Sequence, residues 1–160
     1  VFPMFSFLKR RKKEKKGPLV YLSEPVLLYH TRTEKAILEI IEEKLSSTNV
    51  IIPSDYGIKD TSHMIEDAEC FVAVAILGKF SSLVCREVRK AQELGKKIYT
   101  LDIVKRSSDE LIYYFEEGIP EHIEWLSEEE TREFFDGFLA EEFMGMAFRG
   151  MFIGYRGNKW

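Results

Sequence analysis

Apolar residues change their spacing several times along this chain, and the changes mark out its elements. A short apolar run over 19–23 predicts a first strand. Ala36, Ile37, Ile40, Ile41 and Leu45 then recur at helical spacing behind Thr31 and Glu34, which stand as in a capping box. They predict a helix over 31–45. Residues 50–52 predict a second strand closed by Pro53, and a short helix follows over 61–67. Residues 70–77 are unbroken apolar positions rich in Val and Ile, the mark of a strand buried on both faces in mid-sheet. Helical spacing returns over 82–94, with Gly95 in the usual C-terminal position. Beyond it the pattern predicts a strand over 97–101 and a helix from the second capping box, Ser107 and Glu110, to about residue 117. A strand over 123–126 and a last helix, opened by Ser127 and Glu130 and running to about residue 143, complete the series.

Strands alternating with helices imply right-handed crossovers and a parallel sheet. The predicted class is α/β, three-layered and flavodoxin- or Rossmann-like, with five parallel strands in the order 2-1-3-4-5 and helices on both faces. Ligands in such sheets bind beyond the carboxyl ends of the strands, where the winding reverses. That point lies between the first and third strands, framed by loops 24–30, 53–60 and 78–82. The chain divides into a basic tail (1–18), the α/β domain (19–143) and an apolar, glycine-containing tail (144–160).

Composition narrows the function classes. With 160 residues the chain suits one domain. Acidic residues outnumber basic ones, 27 to 23, which argues against specific nucleic-acid binding by the surface as a whole. Basic residues crowd between Lys9 and Lys16, after an apolar stretch. A signal peptide has the reverse order, and the stretch is too short to span a bilayer. The run reads as a solvated tail; membrane contact through Phe2, Phe5, Phe7 and Leu8 ranks last. Cys70 and Cys85 form neither a disulfide framework nor a metal spacing, so a reducing cytoplasm is expected. His30, His63 and His122 are scattered, and neither metal nor cofactor is expected. Phe148, Met151, Phe152, Ile153 and Trp160 are expected to bury against another subunit, in a two-fold dimer. Arg149 and Arg156 argue against a membrane span there.

No P-loop, dinucleotide fingerprint, nucleophile elbow or zincin motif is present. Glu87 lies about 60° from the stripe of Val84, Val88, Ala91 and Gly95 on a 3.6-residue helix. Its carboxylate could face the crevice, or pair in solvent with Arg86 or Lys90. Three segments weigh on the choice: VYLS at 20–23, MIEDAECFVAVA at 64–75 and EVRKAQELGKKI at 87–98. In order and character they resemble the nucleoside 2-deoxyribosyltransferase family, which includes deoxynucleoside-monophosphate N-glycosidases.

The resemblance implies a helix glutamate that attacks the anomeric carbon of a nucleoside or nucleotide, and Glu87 stands at that position. It implies a second acidic group for proton transfer. The family's acidic position falls on Thr61, with Asp60 beside it. Glu24 replaces a small glycine and is an alternative donor. Tyr21, Ser81, Ser82 and Asp55 are candidate substrate contacts, the serines by meeting a phosphate at a helix N-terminus. The glycine-rich stretch before the nucleophile is replaced by residues 83–86, LVCR, and the glycine two residues after it by Arg89. The alternative reading is a non-catalytic ligand-binding or assembly protein on the same fold.

Overall fold

A computed structural model describes residues 14–107 and 110–136. Most of the basic run, the expected helix beyond residue 136 and the apolar tail with its expected subunit contact lie outside the described residues.

Seven strands form one sheet: β1 (Val20–Ser23), β2 (Val50–Ile51), β3 (Cys70–Ile76), β4 (Lys79–Phe80), β5 (Lys97–Ser107), β6 (Glu110–Glu117) and β7 (Glu124–Trp125). The helices are α1 (Arg32–Leu45), α2 (Ser82–Glu93) and the short α3 (Glu128–Glu133). β1 lies between β2 and β3, parallel to both, and β3 is also parallel to β5. The sheet is therefore mostly parallel and open, and the protein is α/β. Every residue of β3 is buried, as its unbroken apolar run requires.

Alternation along these strands supplies two cores. Val20 and Leu22 of β1, Val72, Val74 and Ile76 of β3, and Leu101 and Ile103 of β5 point to one face. There they meet Ile37, Ile40 and Ile41 of α1. Tyr21, Phe71, Ala73 and Ala75 point to the other face, against Val84, Cys85, Val88 and Ala91 of α2. The small alanines of β3 let α2 approach the sheet closely.

The predicted five-strand parallel sheet is corrected at its far edge. The segment expected as a helix up to residue 117 is strand β6, paired antiparallel with β5 from Tyr99↔Glu117 to Ser107↔Glu110. Ser107 and Glu110 are not a capping box; they face each other across the hairpin. Leu111, Tyr113 and Phe115 pack on the α1 side, while Tyr114 is exposed, and this period-2 pattern with aromatic and β-branched residues suits a strand. The strand expected over 123–126 is the two-residue β7, which pairs parallel with β4 rather than with β5. β4 itself turns back on β3 at Ile76↔Lys79. The two residues between, Leu77 and Gly78, have φ of 52° and 74°, the left-handed pair of a tight hairpin turn. Asp102 fixes this turn by accepting the Gly78 N–H at 2.9 Å.

Candidate functional site

The parallel arrangement brings the carboxyl ends of β1 and β3 beside the first turns of α2. α2 begins at Ser81, whose hydroxyl accepts the Val84 N–H. Two turns in, Glu87 faces inward and is only 6% exposed. Its Oε1 accepts the Ser23 hydroxyl at 2.7 Å, and its Oε2 accepts the Tyr21 hydroxyl at 2.8 Å. Tyr21 and Ser23 share a face of β1 because side chains alternate along a strand. The Tyr21 oxygen also lies 2.7 Å from Thr61 Oγ1, and its ring stacks on Phe71 at 5.6 Å.

In front of Glu87 lies a cavity of about 500 Å³, within the range of small-molecule sites. Val26 and Tyr29 of the β1–α1 loop form one wall. Asp60, Thr61 and Ser62 form another, and Arg86 and Lys90 of α2 a third. Ile58, 88% exposed, stands at the rim with Lys59. Burial pushes the Glu87 carboxyl above its ordinary value; the Ser23 and Tyr21 hydroxyls oppose this, the Asp60 charge adds to it and Arg86 opposes it. Asp60 is held below its ordinary value, chiefly by the Ser62 N–H at 2.9 Å. Burial raises the Tyr21 phenol strongly, and raises Tyr29 to about 12 with help from the charges of Glu24, Glu87 and Glu34.

The expected site residues separate into groups. Glu87 and Asp60 both line the cavity, and Tyr21 supports Glu87 from behind it. Glu24 is fully buried and is not part of the cavity wall; its carboxyl lies by Glu34 of α1. Ser81 is buried as the helix cap. Ser82 lines a separate hollow of about 570 Å³ with Arg89 and Trp125, and its N–H donates to Thr131. Asp55 is exposed on the turn Pro53–Tyr56, away from the cavity wall. Ser23, Thr61 and Tyr29 were not singled out as site residues by the sequence reading. The period of two along β1 was the available signal for Ser23.

Among the described residues no group of three or more His, Cys, Asp or Glu side chains could hold a metal ion. No helix among them is long and apolar enough to cross a membrane. Cys70 and Cys85 are free and buried, and burial raises both thiols. No family model, curated protein or solved structure matches the chain.

Proposed function

We propose that the protein cleaves or transfers at the N-glycosidic bond of a nucleoside or nucleotide, with Glu87 as nucleophile. The observation that carries this reading is a buried carboxylate, fixed by two hydroxyl donors, at the wall of a small-molecule cavity by the ends of β1 and β3. Two donors on one carboxylate leave it little rotational freedom, as attack on a fixed centre requires. The Glu87 carboxylate bonds to the anomeric carbon as the bond to the base breaks; the base leaves with that electron pair and takes its proton from solvent water. Water, or a second base, then displaces Glu87. Asp60, which lines the same cavity and is held below its ordinary value by the Ser62 N–H, is the acceptor this reading assigns to the proton released in that step. Lys59, Arg86 and Lys90 around the cavity favour an anionic substrate, so a nucleoside monophosphate suits it better than a neutral nucleoside.

Incubating the protein with a panel of deoxynucleosides, ribonucleosides and their monophosphates, and assaying free base, tests this. Release is expected to be fastest from monophosphates and to fall on the order of 10⁴-fold or more in Glu87→Ala. Equal release by that variant removes the assignment. Ligand retained in equilibrium dialysis without release assigns the cavity to binding alone, the reading in which the fold persists without catalysis.

A further inference from the structure

Glu24 and Glu34 stand at the two ends of the segment that forms the Val26–Tyr29 wall of the cavity. Glu24 leaves β1, and Glu34 lies in the first turn of α1. The chain between them makes a 3-10 turn at Val26–Leu28 and places His30 in the left-handed region, with φ of 61°. Thr31 caps α1 as expected, but the Glu34 side chain accepts the His30 N–H through Oε1 instead of closing a capping box. Glu24 has no exposed surface and Glu34 is 7% exposed. Both oxygens of Glu24 and Oε2 of Glu34 lack a donor among the described residues. No described Lys, Arg or His side chain forms an ion pair with either. The groups around them are the Tyr29 phenol of the loop, Glu87 of α2 beyond it, the exposed His30 and Thr33 of α1, which neighbours Tyr113 of β6.

Two ionised carboxylates so placed would repel each other, with the His30 N–H the only donor to their four oxygens among the described residues. One proton relieves the repulsion and pairs two of the three unpartnered oxygens, because a carboxyl O–H donates to the neighbouring carboxylate oxygen. We propose that Glu24 and Glu34 share one proton in the folded protein, and that this shared proton is a latch holding the 24–31 segment, and with it one wall of the cavity, in place. Burial first, and then the Glu34 carboxyl, push Glu24 well above the ordinary carboxylate range.

The sign follows from which state holds the proton. The folded pair keeps it, while the unfolded chain releases it as pH rises past the ordinary value of 4.5. The contribution is complete below that value and is lost as pH rises through the folded value. Across that window the unfolding equilibrium shifts up to about tenfold per pH unit.

Urea unfolding of the full chain between pH 5 and pH 9 tests the latch, comparing Glu24→Gln, Glu34→Gln and the double variant with the parent. Either single glutamine gives the remaining carboxylate a permanent N–H donor. Glu24→Gln is expected to remove up to about tenfold per pH unit of the parent's slope, Glu34→Gln to remove only part of it because burial still raises Glu24, and the double variant to add nothing beyond Glu24→Gln. Exchange protection of the amides from Leu28 to Thr31 should weaken with rising pH in the parent and persist in the single variants. Should the variants not fold, carboxyl carbon-13 titration of the parent decides, with Glu24 expected to titrate above the ordinary range. Equal slopes in parent and variants, ordinary titration of both carboxyls, or loss of parent stability on adding a chelator would each overturn the proposal. The last would put a cation in the proton's place. None of these readouts depends on the activity proposed above.

Discussion

Glu87 is set by neighbours that the sequence shows only in part. Its place on the helical wheel was legible, at the margin of the buried stripe. Its burial was not, because the same pattern describes a glutamate pairing with Lys90 or Arg86 in solvent. What decides the matter is tertiary: Tyr21 and Ser23 arrive from β1 and replace the water that the carboxylate loses. Removing one donor should cost about 1–3 kcal/mol, because Tyr21→Phe leaves a buried carboxylate oxygen and the Thr61 hydroxyl short of a partner. Urea denaturation checks this. Carboxyl titration of the same variant should show Glu87 moved further upward, since a bond to its ionised form is gone. Glu87 itself, already raised in the folded state, contributes stability below its unfolded value of 4.5 that is lost as pH rises through the folded one. Glu87→Gln is therefore expected to gain on the parent as pH rises, measured as the difference in unfolding midpoints at pH 5 and pH 8. A difference of the opposite sign would mean that the carboxylate, not the acid, is the form the fold prefers.

At the scale of elements, the readings rested on periodicity and end signals, and these succeed where one signal is unopposed. β3 and α2 each have a single strong pattern and sit where that pattern puts them. The segment from Ser107 to Glu117 carried two. Ser107 and Glu110 match a helix start, whereas Leu111, Tyr113 and Phe115 alternate with outward residues as a strand does. Cross-strand packing settles it: Tyr99 and Phe115 stack at 5.4 Å, a contact available only when β6 lies along β5. The Thr100 hydroxyl also ties the hairpin back by donating to the Gly118 carbonyl at 2.7 Å. Leu111 is 3% exposed, so Leu111→Ala should cost about 2–3 kcal/mol. Tyr114 is 54% exposed, and Tyr114→Thr should change stability by less than about 0.5 kcal/mol. Equal sensitivity at both positions in urea denaturation would contradict the alternation.

For the whole molecule, composition and alternation were enough to place it in the α/β class, and the mixed sheet differs from expectation because the β5–β6 hairpin took the place of one crossover helix and the β3–β4 hairpin turned an expected loop back on the sheet. Self-association through residues 144–160 is a proposal from their apolar content alone. Sedimentation velocity on the full chain and on a chain ending at Phe143 tests it, with a dimer expected only for the former; a monomeric full chain ends it. One feature of the interior reaches across this scale. The single phenol oxygen of Tyr21 joins the sheet to the turn at Thr61 and to Glu87 of α2. Three elements meeting at one atom cannot shift independently without breaking a buried bond. The back of the cavity is thus assembled as the chain folds, and no ordering of the carboxylate remains to be done when a ligand arrives. Any accommodation falls to the rim, at the exposed Ile58 and its neighbour Lys59. The site should behave as a rigid mould with a yielding lip, choosing among ligands by shape at its floor and tolerating variety in whatever projects outward.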